Sequence, residues 1–244
     1  MANKPEQGAH FSTTHWSLVV QAGDLADPAA RSALETLCRR YWFPLYAFVR
    51  REGYGIHDSQ DLTQAFFARF LEKDYLHQAD PSRGRFRSFL LASLRHFLAN
   101  DRDYAKAAKR GGGGTVLSLD FSQAEDRYLH EPDTDWTAEK LFHRRWALEL
   151  LQTVMDRLRA EWATEERRAF FLAVQTFLSG TDPTRTYAEV AHELETTEGS
   201  VKTAVHRLRR RYRELLREEI AHTVTEPEQI EEEIRQLFDA LQGN

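Results

Sequence analysis

Hydrophobic residues recur every three or four positions along most of the chain, which is the spacing of an α-helix that packs against a core. The longest regular stripe comprises Val201, Ala204, Val205, Leu208, Tyr212, Leu215 and Leu216. A shorter stripe of Val190, Ala191 and Leu194 precedes it and predicts a helix of two turns. The polar stretch 195–199 interrupts the two stripes and predicts a turn between the helices.

Polar residues at the starts of these two helices match known helix start signals. Thr186 and Glu189 form the Thr-x-x-Glu pattern of a capping box, in which each side chain caps the backbone of the other residue. Thr197 is placed to cap the second helix. The pattern therefore predicts a helix-turn-helix, a motif whose second helix lies in the major groove of DNA.

The second helix is also strongly basic. Seven Lys or Arg residues and one acid lie between Ser200 and Arg217, in a chain whose net charge is −5. Such a local reversal favours DNA binding, because cations displace the counterions condensed on the phosphates. The alternative is a basic surface helix without a nucleic-acid partner. The polar side of the helix carries Lys202, Thr203, His206, Arg207 and Arg210.

The first half of the chain carries its own helix signals. Asp27 followed by Pro28 is an N-cap with proline at the first helical position, and Pro44 is expected to kink the helix that follows. A second helix is predicted to begin near Asp58, where acids suit the positive end of the helix dipole. The stretch 75–85, with its proline and glycine, predicts a loop.

A second basic helix is predicted from Phe86 to Arg110. Eight Lys or Arg residues and two acids lie between positions 83 and 110. Aromatic residues alternate with these cations, a mixture that supplies both stacking and charge neutralisation on single-stranded nucleic acid. The alternative, favoured for Phe86, Phe89 and Phe97, is that the rings belong to the hydrophobic core.

Four consecutive glycines, 111–114, predict the start of a linker that runs to about Thr134. We expect this linker to be a flexible tether that docks in places. Helices capped near Asp135 and Thr164 then lead into the helix-turn-helix, so the second half of the chain reads as a four-helix domain.

The last segment differs from the rest in charge. Between Glu226 and Leu241 there are six acids and one basic residue, Arg235, on an amphipathic helix. Two interpretations stay open: an autoinhibitory tail that covers a basic face, or a solvated packing helix.

Composition sets further limits. The chain has 244 residues, of which 41% are hydrophobic and 29% charged, and Gly and Pro are sparse, so an all-α globular protein is expected. No apolar run is long enough to span a bilayer, and the first residues do not resemble a signal peptide. The single Cys38 excludes an intrachain disulfide and a cysteine-based zinc finger. These features favour a cytoplasmic protein without membrane insertion, and no cofactor or metal site is predicted.

Three stretches resemble the extracytoplasmic-function (group IV) class of the bacterial sigma-70 family. The region 2.2 helix of that family is similar to HDSQDLTQAFFARFLEK (57–73). Regions 2.3 and 2.4 are similar to GRFRSFLLASLRHFLANDRDYAKAAKRGG (84–112). Region 4 is similar to TYAEVAHELETTEGSVKTAVHRLRRRYRELL (186–216). The resemblance covers about 30–220, and the tail is similar to the ends of a subset with longer C-termini.

The resemblance implies two small helical domains joined by a flexible linker. The expected divisions are an N-terminal segment 1–26, a region 2 domain 27–110, a linker 111–134, a region 4 helix-turn-helix domain 135–221 and an acidic C-terminal helix 222–244.

The resemblance also implies a role in promoter recognition together with core RNA polymerase. Region 2 would bind the clamp helices of the β′ subunit through Asp58, Asp61 and Gln64. Region 4 would read the −35 element and rest on the β flap. The residues expected at the −35 element are Ser200, Lys202, Thr203, His206, Arg207 and Arg210. Those expected at the melted −10 element are Arg83, Arg85, Arg87, His96 and Asn100.

The chain departs from the family pattern at two positions. Gln60 stands where an acid is common, and His96 stands where Asn is common. Some group IV families with an altered region 2.2 are controlled by Ser/Thr kinases, which makes Thr63 or Ser59 a candidate phosphate acceptor that would restore negative charge. A kinase or an anti-sigma factor is therefore a further candidate partner.

Two other functions compete with the sigma-factor interpretation. A stand-alone helix-turn-helix regulator would explain 185–220, but it would leave the second basic helix and the 57–73 resemblance without a role. An enzyme is disfavoured because the sequence contains no paired carboxylates, nucleophile arrangement or metal-ligand spacing.

Overall fold

The computed structural model describes residues 15–16, 27–71, 85–104, 119–130, 136–162, 165–179 and 185–242, and the fold over these ranges is all-α. The all-α prediction is therefore confirmed. The single extended pairing in the described residues is an isolated antiparallel bridge between Arg85 and Val224. Within the same ranges, no helix combines the length and the apolar character needed to cross a membrane.

The helices are numbered here in chain order. They are α1 (Pro28–Arg51), α2 (Ile56–Phe70), α3 (Phe86–Tyr104), α4 (Ala124–Leu129), α5 (Ala138–Glu161), α6 (Glu165–Val174), α7 (Thr176–Ser179), α8 (Tyr187–Glu193), α9 (Glu198–Ala221) and α10 (Gln229–Gln242).

The contacts divide the chain into two units. The N-terminal unit extends to Trp146 and also includes the chain from Ile220 onward, while the recognition unit comprises Ala147–Glu219. This division differs from the sequence-based one, which placed 135–221 in one domain and treated 222–244 as a separate tail. The first part of α5 and all of α10 belong instead to the N-terminal unit, because both contact the start of α3.

Helix α1 begins as its sequence predicts. The Asp27 carboxylate accepts a hydrogen bond from the backbone N–H of Ala29 at 2.9 Å, and Pro28 occupies the first helical position. Pro44 lies inside the helix and is buried.

Aromatic rings form the core of the N-terminal unit. The Phe86 ring lies 5.0 Å from both Tyr41 and Trp16, measured between ring centroids, and Phe66 lies 5.7 Å from Phe97. Phe86 is 0% exposed and Phe97 5% exposed. The core interpretation is therefore confirmed for Phe86 and Phe97, whose faces are not available for stacking on bases, whereas Phe89 is half-buried and stacks on Trp16 at 5.5 Å.

Part of the predicted linker is a docked helix. The hydroxyl of Tyr46 donates to Glu125 on α4 at 2.7 Å, and the guanidinium of Arg50 donates to the same carboxylate at 2.8 and 3.0 Å. The Arg127 guanidinium lies 3.6 Å from the centroid of the Phe43 ring, a cation–π contact. The linker was expected to dock in places, and 119–130 is one such docked segment; the glycines 111–114 lie outside the described residues.

The recognition unit has a separate aliphatic and aromatic core. Its fully buried residues include Val154, Leu158, Phe171, Val174, Val190, Val201, Leu208 and Leu215. Arg211 of α9 donates to both oxygens of Glu161 on α5, at 2.6 to 3.1 Å, and Arg157 donates to Glu219 at 2.6 Å. These ion pairs fix α9 against α5, so the outer side of α9 is held in one orientation.

We expect Glu125→Gln to loosen α4. The change removes charge-assisted hydrogen bonds to Arg50 and Tyr46, which contribute about 1–3 kcal/mol to the free energy of unfolding. Urea denaturation measures that loss, and amide hydrogen exchange should report faster exchange in 124–129. Asp126→Asn makes the same charge change one position along on an exposed residue and should leave both measurements unchanged.

The same contact should depend on pH. The hydrogen bonds from Arg50 hold the pKa of Glu125 below its ordinary value of 4.5, so the carboxylate is more acidic in the folded state than in the unfolded state. Its stabilising contribution is complete above about pH 4.5 and is lost as the pH falls further through the folded-state pKa. Equal exchange rates in 124–129 for the wild type and Glu125→Gln at pH 7 would contradict this account.

Candidate nucleic-acid interface

The helix-turn-helix is built by the caps that its sequence predicts. The backbone N–H of Glu189 donates to the Thr186 hydroxyl at 3.2 Å, and the backbone N–H of Thr186 donates to the Glu189 carboxylate at 2.7 Å. The two bonds complete the capping box at the start of α8. At the start of α9, the Thr197 hydroxyl accepts from the backbone N–H of Ser200 at 3.2 Å. The caps fix where each helix begins, and Glu195 turns the chain between them with a left-handed φ of 50°.

Helix α9 presents one polar face. Val201, Val205 and Leu208 are 0–2% exposed, so the apolar stripe faces the core of the recognition unit. The six residues predicted for duplex readout are all exposed: Ser200, Lys202, Thr203, His206, Arg207 and Arg210. They lie within three helical turns, a length of about 15 Å at 1.5 Å per residue. The structure therefore brings this predicted set together on one accessible surface.

Two cations on this surface pair with exposed carboxylates. Lys202 pairs with Glu198 at 2.7 Å, and Arg210 pairs with Glu214 at 3.6 Å. The Glu198 carboxylate raises the pKa of Lys202 above its ordinary value, so the side chain stays charged at neutral pH. Water screens exposed pairs of this kind, so they contribute little to stability and an incoming phosphate replaces them at little cost.

A cleft of about 660 Å³ adjoins the polar face of α9. Its walls are formed by Trp162, Phe170, Thr197, Gly199, Ser200, Thr203, Ala204 and Arg207. The rings of Trp162 and Phe170 stack with an interplanar angle of 8° and a centroid distance of 6.3 Å. Sequence reasoning missed this aromatic wall, because Trp162 follows α5 and Phe170 lies on α6, so only folding brings the two rings together.

The residues predicted for the −10 element are not brought together in the same way. His96 and Asn100 are exposed on α3 and lie four positions apart, so they share a face. Arg87 is 4% exposed and precedes His96 by nine positions, which places it on the opposite side of a helix with 3.6 residues per turn. Arg83 lies outside the described residues. The prediction of Arg87 as a surface contact therefore fails for this conformation, in which its side chain is buried.

Arg87 is buried because two other helices, α10 and α5, converge on it. Its guanidinium donates to both carboxylate oxygens of Glu233 on α10, at 2.5 and 2.9 Å. His143 Nδ1 on α5 lies 2.8 Å from Arg87 Nη1, and the Trp146 ring centroid lies 4.3 Å from its Cζ. Glu233 is 0% exposed, and Arg85 Nε also approaches it at 3.2 Å. The start of α3 is thus a basic pocket that is filled by the Glu233 carboxylate.

The sequence contains a signal for this pocket that was missed. Glu233 falls three positions after Ile230 and four before Leu237, so it lies within the apolar stripe of α10. An acid at a core-facing position requires a buried cationic partner. A net-charge count treats the acids of α10 alike and does not distinguish Glu233 from the others.

The residues expected to face polymerase lie on α2. Asp58 and Asp61 are exposed and three positions apart, and Gln64 is half-buried one turn further on. Thr63 and Ser59 are both 0% exposed, because they face the core of the N-terminal unit. The prediction of Thr63 as a phosphate acceptor is therefore not supported by this conformation, in which a kinase cannot reach its hydroxyl.

Comparison with known proteins gives no match among family models, curated proteins or solved structures. Two features of the described residues therefore indicate a function. One is the capped helix-turn-helix with its exposed basic face, and the other is the basic helix α3 with a basic pocket at its start.

We expect His143 to make the stability of the N-terminal unit depend on pH. Burial, and next the neighbouring Arg87 guanidinium, lower the pKa of His143 from 6.5 to about 4. The unfolded chain therefore binds this proton first as the pH falls, and the free energy of unfolding should decrease between pH 6.5 and pH 4, by up to about 3 kcal/mol. Urea denaturation at a series of pH values measures the slope.

The variant His143→Gln tests the assignment, because a neutral amide removes the titration while keeping a polar side chain. Its slope between pH 6.5 and pH 5 should be shallower than that of the wild type. The exposed His96→Gln serves as a matched control and should keep the wild-type slope. Identical slopes for His143→Gln and the wild type would rule out His143 as the titrating group.

Proposed function

We propose that this protein is a sigma factor of the extracytoplasmic-function class, which directs core RNA polymerase to promoters in the cytoplasm. The observation that carries the proposal is the exposed basic face of α9 behind two capped helix starts. The resemblance of 57–73 and 84–112 to region 2 supports the second half of the proposal, in which the chain also binds polymerase and separates the promoter strands. In this proposal the N-terminal unit acts as the region 2 domain and the recognition unit acts as the region 4 domain.

Duplex readout would be carried by α9 in the major groove of the −35 element. Arg207 and Lys202 suit guanine edges or phosphates, while Ser200 and Thr203 donate and accept shorter hydrogen bonds. Helix α9 is held by its ion pairs to Glu161 and by its buried stripe, so these side chains are pre-positioned. Rigid presentation lowers the entropy that binding must overcome.

Opening of the −10 element would need binding energy for the unpaired strand rather than catalysis. Contacts to bases and phosphates of the separated strand offset the cost of unstacking, as in other proteins that extrude bases. Exposed His96 and Asn100 are suited to such contacts on α3. The buried rings of Phe86 and Phe97 are not, so any base stacking must come from other residues.

Asp58 and Asp61 would supply the polymerase contact on α2. Both carboxylates are exposed, and together with half-buried Gln64 they form a short polar strip along one helix face. A stand-alone DNA-binding regulator would make no use of this strip, which distinguishes the two candidate functions experimentally.

The decisive experiment is in vitro transcription with purified core RNA polymerase on a library of genomic fragments. We expect transcripts whose start sites share two upstream elements at fixed spacing, and we expect none when the chain is omitted. Sequencing of the RNA 5′ ends shows both whether transcripts form and where they start. If the chain binds duplex DNA tightly alone and yields no transcripts with core enzyme, the regulator is the correct interpretation.

The double variant Asp58→Asn/Asp61→Asn should weaken polymerase binding while preserving fold and duplex affinity. Pull-down with core enzyme and fluorescence anisotropy on duplex DNA measure the two properties separately. Glu52→Gln, an exposed acid just beyond the end of α1, serves as the control for charge alone. Unchanged polymerase binding by the double variant would remove α2 from the proposed interface.

We expect Arg207→Gln to weaken binding to a duplex that carries the upstream element recovered from the transcripts. The loss should be about 1–3 kcal/mol if Arg207 contacts a base; a phosphate contact would instead reduce the salt dependence by about one counterion. Arg209→Gln is a matched control on the same helix, because Arg209 donates to the Phe177 carbonyl at 2.8 Å, away from the polar face. Equal losses from both variants would indicate non-specific charge effects instead of readout by this face.

A further inference from the structure

One carboxylate of the acidic helix α10, that of Glu233, fills the basic pocket at the start of α3. Glu233 receives a forked pair of hydrogen bonds from Arg87 and a third approach from Arg85, while the side-chain amide oxygen of Gln236 contacts both arginines. The other acids of α10 are at least partly exposed. A single acid of this helix therefore lies fully inside the basic pocket.

The geometry of the pair suits a phosphate as well as a carboxylate. A guanidinium offers parallel N–H donors that match two oxygens of either group. Replacing a buried ion pair with apolar side chains is often neutral or stabilising, so stability by itself does not account for an acid at a stripe position. Both buried charges are explained if the arginines bind the Glu233 carboxylate in one state and a different anion in another.

The attachment of α10 differs from that of the segment before it. The chain at 222–224 is fixed by backbone hydrogen bonds: the Thr223 carbonyl accepts from Phe86 N–H at 3.0 Å, and the His222 carbonyl accepts from Trp16 N–H at 3.1 Å. Within α10, by contrast, only Glu233 and Leu237 are fully buried. The exposed turn at 226–228, with Pro227, separates the fixed segment from the weakly buried helix. The fully buried attachment of α10 is therefore limited to Glu233 and Leu237, whereas backbone hydrogen bonds also hold 222–224.

We propose that α10 is a displaceable cover and that Glu233 occupies an anion site, formed by Arg85 and Arg87, which takes a phosphate of single-stranded DNA when the helix leaves. The inference rests on the proposed function for the identity of that ligand, since the strand opened at the −10 element supplies such phosphates. The cover lowers the affinity of the free protein for single strands, because only the uncovered fraction binds.

Amide hydrogen exchange on the full-length wild type tests whether single-stranded DNA displaces α10. Addition of a dT oligonucleotide should accelerate amide exchange in 229–242 and leave 222–224 and α1 protected. A duplex of random sequence, as the comparison ligand, should leave 229–242 protected. Continued protection of 229–242 at oligonucleotide concentrations that saturate binding would overturn the proposal.

The variant Glu233→Gln tests the role of the carboxylate, because it removes the charge while keeping the shape. We expect its apparent affinity for the dT oligonucleotide to increase about tenfold, as the uncovered fraction rises. Asp239→Asn makes the same charge change on the exposed side of α10 and should bind like the wild type. Adding Arg85→Gln to Glu233→Gln should abolish most of the gain, since Arg85 is the less buried of the two arginines.

The outcomes separate this inference from the proposed function. If Glu233→Gln and the wild type bind the oligonucleotide equally, the cover is refuted, whereas transcription with core enzyme still tests the sigma assignment independently. If Glu233→Gln loses exchange protection throughout α1 and α3, α10 is an inseparable part of the N-terminal unit and the proposal fails. If α10 is released by the oligonucleotide but no transcripts form, the anion site stands and the sigma assignment fails.

Discussion

The buried ion pair between Arg87 and Glu233 is the interaction that attaches the acidic helix α10 to the rest of the N-terminal unit. It joins the start of α3 to α10, and the same guanidinium contacts His143 and Trp146 of α5. While α10 is docked, removing either charge would leave the other buried without compensation, which costs several kcal/mol in known cases, so the loss of one charge favours release of the helix. The pair therefore determines that the acidic C-terminal helix packs within this unit and does not extend into solvent as a separate tail.

The two basic helices illustrate how similar net charge leads to different roles. Lys202 and Arg210 on the outer face of α9 pair with the exposed carboxylates of Glu198 and Glu214, which compete weakly with a phosphate. The cations at the start of α3 are held by a fully buried acid. In the proposed function, α9 is ready to bind duplex DNA, whereas the start of α3 must first exchange its internal anion.

Local sequence rules accounted for most of the secondary structure. The capping box at Thr186, the cap at Thr197 and the Asp27–Pro28 start all lie where the sequence predicted them, because each depends on residues within four positions of one another. The period of the apolar stripe on α9 also predicted the exposed set from Ser200 to Arg210. Periodicity determines which side of an isolated helix is buried, and the partner contributes little to that choice.

Long-range pairing determined the rest. The acids of α10 look alike in a charge count, and only the tertiary structure distinguishes Glu233, whose partner Arg87 lies 146 positions away in the sequence. The same holds for Glu125, which docks a segment that composition had marked as a tether, and for Thr63, whose hydroxyl faces the core. The amino-acid sequence by itself determined the helices, their caps and the basic face of α9, since these follow from short-range geometry. The tertiary structure alone decided which charges are buried, because the free energy of a charge depends on the neighbours that folding brings to it.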